Sequence, residues 1–126
     1  MKPFAMALPK SVEEAVAASA SSFAESKLLA GGTDLLGELK ERTQTPDRVV
    51  NLKRIPDLDR IEVGDDRVVI GALTRLATIA ESSEIRTHWP ALAQTIERSA
   101  TPQIRNVGTL GGNLCQRVRC WYYRHE

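Results

Sequence analysis

No apolar run in this chain approaches the roughly 20 residues that a helix needs to cross a bilayer, so none of its segments reads as a membrane span. Cysteine is scarce, with only Cys115 and Cys120. Two thiols without a secretory segment do not make a disulfide framework. Histidine is limited to His88 and His125, with no pair spaced for a metal. Aromatic residues make up 5% of the chain and the net charge is only +1. The charge is uneven: residues 101–126 carry Arg105, Arg117, Arg119 and Arg124 against Glu126, while the first hundred hold 13 basic and 15 acidic side chains. A basic tail with Trp121, Tyr122 and Tyr123 could stack on bases. Four arginines are nevertheless too small a basic face for a nucleic-acid partner.

A 42% share of hydrophobic residues with mixed charges fits a soluble globular domain of 126 residues, or part of a larger one. The opening Met1–Pro9 has one lysine and a short apolar run, cut by Pro9 and the acidic pair Glu13–Glu14. It is a poor export signal. No repeat, low-complexity tract or flexible linker interrupts the sequence.

The expected organisation is α+β. Phe4–Leu8 reads as a short strand. Ser11-Val12-Glu13-Glu14 reads as a capping box that opens a helix with Val12, Ala15, Val16 and Ala20 on one face. Lys27-Leu28-Leu29-Ala30 reads as a buried strand running into Gly31-Gly32, with Thr33 as the N-cap of a helix bearing Leu35, Leu36 and Leu39. A strand at 48–52 precedes a turn at 55–58. The segments 60–63 and 67–72, joined by Gly64-Asp65-Asp66, carry a hairpin signature. Thr74–Glu81 and Pro90–Ser99 read as helices, with Pro90 at the first helical position.

The most informative segments are Ala30-Gly31-Gly32-Thr33-Asp34 and Thr109-Leu110-Gly111-Gly112-Asn113, about eighty residues apart. Glycine tolerates positive φ and leaves room for a ligand, so backbone N–H groups can converge on an anion. Two such turns could clamp the two ends of one pyrophosphate, although each could also be an ordinary tight turn.

The run Leu29–Leu36, then Ile70-Gly71-Ala72, then Gln103-Ile104-Arg105-Asn106-Val107-Gly108 followed by Thr109–Asn113 resembles the FAD-binding subunit of molybdenum hydroxylases. That family takes in the flavin domains of xanthine dehydrogenase and the medium subunit of carbon monoxide dehydrogenase. The resemblance covers nearly the whole chain in the same order. It implies the PCMH-type FAD-binding fold: an N-terminal α/β subdomain at 1–55 and the start of a second, incomplete one at 56–126. By the same resemblance, FAD lies between them, with Ala30, Gly31, Gly32, Thr33, Asp34 and Leu35 forming one phosphate loop. Thr109, Gly111, Gly112 and Asn113 form the other. Asp34 is the awkward member, because a carboxylate repels phosphate. It is expected to point away and complement the helix start. Arg105 either neutralises phosphate or pairs with a carboxylate to hold the loop, and Ile70-Gly71-Ala72 either approaches the cofactor or ends a core strand.

The segment Gln116–Arg124, with Cys120 before Trp121-Tyr122-Tyr123, is similar to flavin subunits of the aldehyde-oxidoreductase type that carry an extra [4Fe–4S] loop. This implies Cys120 as the first cluster ligand, the other three lying downstream, so the chain reads as the N-terminal portion of a longer subunit. Both thiols could equally be inert. The resemblance further implies a molybdopterin-binding large subunit and a [2Fe–2S] small subunit as partners. Electrons would pass from iron–sulfur clusters through FAD to an external acceptor such as NAD⁺, oxygen, a quinone or ferredoxin. The expected location is cytoplasmic, with export only on a partner's signal. No acid, base or nucleophile is assigned, and His88 and His125 are expected to be surface or capping residues. Two other readings are a fragment that docks on partner subunits without holding FAD, and a small metal-binding module.

Overall fold

The computed structural model describes residues 1–19, 22 and 24–124. Ala20, the last member of the expected first helical face, and His125 lie outside them. Strands β1 (Ala5–Ala7), β2 (Ser26–Leu29) and β3 (Arg48–Asn51) form a parallel sheet in the order β1-β3-β2. Met6 pairs with Val49 on one side of the central strand, and Leu28 pairs with Val50 on the other. Parallel neighbours need crossover connections, and helices α1 (Val12–Ala18) and α2 (Leu35–Glu41) supply them.

Successive strand residues face opposite sides of a sheet. Val50 accordingly packs with Ala7, Ala15 of α1 and Ile55, while Val49 packs with Leu29 and Leu39 of α2. The helices therefore cover opposite faces. The first turn of α1 is capped by Ser11, whose Oγ accepts from the Glu14 amide at 3.1 Å. Glu14 reaches back one residue further than a simple capping box requires, accepting from the Lys10 amide at 2.7 Å.

The expected apolar face of α1 is rotated. Val12 and Val16 are exposed, and the helix instead presents Ala15 and Ala18 to the sheet. On that side Ala15 and Ala18 pack with Val50, Leu52 and Ile55. Strand β2 is not wholly buried either: it pairs with β3 alone, and Leu28 on this edge is exposed.

A short 3-10 turn, Leu52–Arg54, leads to the hairpin β4 (Ile61–Val63) and β5 (Val68–Ile70), whose strands are antiparallel as the sequence predicts. Helices α3 (Leu76–Glu81), α4 (Ser83–His88) and α5 (Pro90–Arg98) complete this half of the molecule. Its core is Leu76, Ile79, Ala80, Ile85, Ala93 and Ile96, with Ile61, Val68 and Ile70 of the hairpin packed against it.

Helix α4 was not anticipated. Ser82 ends α3 and also caps α4, its Oγ accepting from the Ile85 amide at 3.3 Å. Helix α3 starts two residues later than the sequence suggests, because Thr74 and Arg75 are extended and bridge to Thr109. The Leu76 amide donates to the Gly108 carbonyl and the Leu110 amide to the Thr74 carbonyl, both at 2.9 Å. The chain ends its described course in three short helices, α6 (Pro102–Arg105), α7 (Leu110–Leu114) and α8 (Trp121–Arg124). None of the described helices is long and apolar enough to cross a membrane.

Candidate functional site

Strand β2 stops at Leu29, and the chain turns through Ala30–Asp34 into α2. Gly32 makes the turn at φ +86°, a backbone conformation that favours glycine. Thr33 does not cap the helix. Asp34 holds the N-cap position, and its side chain makes no capping bond. Among the described residues, the N–H groups of Gly31, Gly32, Thr33, Asp34 and Leu35 donate to no acceptor. A row of unpaired amides in one turn is what an anion can complete.

The second glycine segment is built differently. Gly111 and Gly112 are not a turn but lie in the first turn of α7, after Leu110 and with Thr109 as the N-cap. Thr109 Oγ1 accepts from the Gly112 amide at 3.2 Å, and the Gly111 amide donates to the Ala72 carbonyl at 2.8 Å. These amides are therefore engaged within the protein. Thr109 retains its hydroxyl hydrogen as a donor. Asn113, whose Oδ1 accepts from Gln116 Nε2 at 3.3 Å, retains its amide hydrogens.

The two segments touch. A Cβ on Gly31 would lie 2.3 Å from the Val107 carbonyl oxygen and 3.0 Å from the Gly108 Cα. Only glycine permits this approach of backbone to backbone. On one side of the contact lies a cleft of about 560 Å³, lined by Ala30, Gly31, Thr109, Asn106 and the basic Lys53, Arg54 and Arg75. On the other lies a cleft of about 280 Å³, lined by Thr33, Asp34, Thr109, Gly112, Asn113 and Arg119. Thr109 borders both.

Of the ten residues expected to hold the cofactor, Ala30, Gly31, Thr33, Asp34, Thr109, Gly112 and Asn113 line these clefts. The other three line neither cleft, and their Cβ positions or side chains face the scaffold. Gly32 sits between the Leu29 and Leu36 side chains, and Gly111 lies against Ala72. The Leu35 side chain packs on the Leu29–Leu39–Val49 cluster. The Ile70-Gly71-Ala72 segment underlies the second glycine segment. A Cβ on Gly71 would meet the Leu58 carbonyl oxygen at 2.2 Å, and the Ala72 carbonyl receives Gly111.

Two expectations about charged residues change. Among the described residues Arg105 meets no carboxylate: its guanidinium donates to the carbonyls of Glu97, Ser99 and Ala100 at 2.9–3.1 Å, holding the end of α5 beside the smaller cleft. Asp34 is more than a helix-start residue. Its carboxylate accepts from Arg124 at 2.9 Å and from the Arg117 amide at 3.3 Å, and Arg119 lies 3.3 Å away. Glu38, one turn further along α2 and buried, pairs with Arg117 at 3.3 Å and Arg124 at 3.8 Å. The hydrogen bond from Arg124 to Asp34 pushes the Arg124 pKa above its ordinary value. Lys27 on β2 is pushed down, first by burial and then by the Arg117 charge, with Glu38 opposing.

These arginines were visible in the sequence only as a basic tail, because nothing local links residues 117–124 to Asp34. His88 lies exposed at the end of α4, edge-on to Trp89, and borders neither cleft. Cys115 and Cys120 are both free and exposed, and the described residues contain no group of three or more potential metal ligands.

A family pattern described as the FAD binding domain in molybdopterin dehydrogenase matches residues 2–120. The chain is 38% identical to the nicotinate dehydrogenase FAD-subunit of Eubacterium barkeri, over 90% of this chain and 39% of that protein. It is 41% identical to the carbon monoxide dehydrogenase medium chain of Hydrogenophaga pseudoflava, over 84% of this chain and 37% of that protein. The aldehyde oxidoreductase FAD-binding subunit PaoB of Escherichia coli is 37% identical over 85% of this chain and 34% of its own length. A solved structure of carbon monoxide dehydrogenase from Hydrogenophaga pseudoflava superposes with a TM-score of 0.83 at 39% identity, covering 90% of this chain and 40% of that one. The mixed α/β fold is thus the one seen in that solved structure. The chain spans about two-fifths of the length of the relatives it matches.

Proposed function

The chain belongs to the family of FAD-binding domains of molybdopterin dehydrogenases, and from that premise we propose that it binds FAD at the contact of its two glycine segments. The role proposed for the intact subunit is electron transfer within a molybdopterin-dependent hydroxylase or dehydrogenase. A molybdopterin-binding large subunit and a [2Fe–2S] small subunit are the proposed partners. Bound FAD would supply the redox chemistry, taking electrons from the iron–sulfur clusters and passing them to an external acceptor, while the protein binds and orients it.

The observation that carries this reading is the row of unpaired amides from Gly31 to Leu35, set where Gly31 meets the Val107–Gly108 backbone. A diphosphate there would accept hydrogen bonds that no protein group accepts. The Thr33 and Thr109 hydroxyls and the Asn113 amide would add donors. The clefts on either side leave room for the two arms of a dinucleotide, residues 1–55 contributing the first loop and 56–126 the second. Side chains here have binding and positioning roles, and no proton transfer is assigned to them.

A [4Fe–4S] cluster fits less well. It needs four protein ligands, and the described residues offer two exposed cysteines. Cys120 can be one ligand of four at most, so no electron path is drawn through such a cluster. The 37% identity to PaoB is no higher than that to the nicotinate and carbon monoxide relatives, and so does not single out the aldehyde-oxidoreductase type.

The test is a fluorescence titration of the chain with FAD and, separately, with riboflavin. Saturable FAD binding, much tighter than riboflavin binding and displaced by inorganic pyrophosphate, is the expected result. A chain that melts cooperatively yet binds no FAD would overturn the reading in favour of a docking fragment.

A further inference from the structure

We infer that Arg119 is the side chain that neutralises the diphosphate of the bound dinucleotide, and that Asp34 holds it over the smaller cleft. The inference rests on the flavin-site reading above. It starts from the charges gathered beside that cleft. Asp34 and Glu38 pair with three guanidinium groups, those of Arg117, Arg119 and Arg124, and the Glu41 charge also acts on Arg124.

Two of the arginines are committed. Arg124 is only 8% exposed, donates to Asp34 and lies against Glu38, which is 5% exposed. Arg117 donates to Glu38 through its side chain and to Asp34 through its backbone amide. Arg119 is the least engaged of the three: it is 62% exposed, approaches Asp34 at 3.3 Å and, among the described residues, donates no hydrogen bond. A guanidinium held by charge alone, with its donors still available, suits a second anion.

Position supports the same conclusion. Arg119 lines the cleft together with Thr33, Gly112 and Asn113, which border the contact between the glycine segments. The cations gathered around Asp34 offset its repulsion of a phosphate. Its carboxylate is engaged by Arg124, by the Arg117 amide and by the Arg119 charge, and the exposed Arg119 guanidinium stands beside it at the cleft.

The experiment compares the wild-type chain with Arg119→Gln and Arg119→Lys. FAD and riboflavin affinities are measured by fluorescence at low and high salt, and inorganic pyrophosphate is titrated while the Gly112 and Asn113 amides are followed by NMR. Arg119→Gln should weaken FAD about tenfold, the scale of one charge-assisted hydrogen bond, and flatten the salt dependence. Riboflavin affinity and Tm should not move, and Arg119→Lys should recover part of the loss. Unchanged FAD affinity and salt dependence in a folded Arg119→Gln chain would overturn the inference. If the wild type binds pyrophosphate through Arg119 but not FAD, the inference stands and the flavin reading falls. If pyrophosphate binds independently of Arg119, or does not bind at all, the inference falls.

Discussion

At Gly31, a hydrogen in place of a methyl group lets two stretches of backbone meet. Adding a Cβ there would set it 2.3 Å from the Val107 carbonyl oxygen, a backbone atom that cannot swing aside. Gly31→Ala should therefore lower stability by about 1–3 kcal/mol, the usual cost of overpacking, and weaken flavin binding as well. Chemical denaturation and the FAD titration check the two effects. Glu38 makes a different point. It is buried against Arg117 and Arg124. Glu38→Ala would strand a buried guanidinium and should cost about 3 kcal/mol, whereas pairing Glu38→Leu with Arg124→Met should restore most of it. A double-mutant cycle by denaturation measures this. Lys27 provides a pH signature. Folding depresses its pKa below 10.5, so the native state holds that proton less tightly than the unfolded chain does. Its contribution to stability should rise with pH from the lowered native value up to 10.5. Lys27→Met should abolish that rise in melts recorded across alkaline pH.

Among the secondary-structure elements, the short helices depend on caps more than on length. The five residues of α7 include two glycines, so the bond from the Gly112 amide to Thr109 Oγ1 matters to its first turn. Thr109→Ala should cost about 1 kcal/mol, with Thr109→Ser recovering most of it, as read from Tm. The elements most legible in the sequence were those with local signals: the capping box at Ser11, the hairpin around Gly64-Asp65-Asp66, and Pro90 at the start of α5. Signals were missed or misplaced where one residue served two elements or where tertiary contacts decided. Ser82 both ends α3 and starts α4. Thr74 and Arg75 favour a helix by pattern but are extended, because their backbone pairs with the segment around Thr109. The face that α1 turns to the sheet carries Ala15 and Ala18, decided by packing with Val50 and Ile55 rather than by the local apolar pattern.

Over the whole molecule, the glycine segments were legible as a pair and their contact was not. Local pattern shows that Gly31 and Gly111 can turn or approach, but it cannot show that Gly31 meets Val107. Nor can it show that Asp34 gathers arginines 83 to 90 residues away. That charge cluster now joins the end of the described chain to the start of α2. The contact at Gly31 also sets an order of events during synthesis. Strands β1 to β3 and their helices are complete by Asn51, yet the partner backbone at Val107 and Gly108 is translated more than fifty residues later. Closing so long a loop is entropically slow and follows the local contacts. A nascent chain stalled before Val107 would carry a finished first sheet and an unfinished cofactor site. Flavin capture would then mark the moment at which both halves have folded, and free cofactor would favour the completed chain over its own folding intermediates.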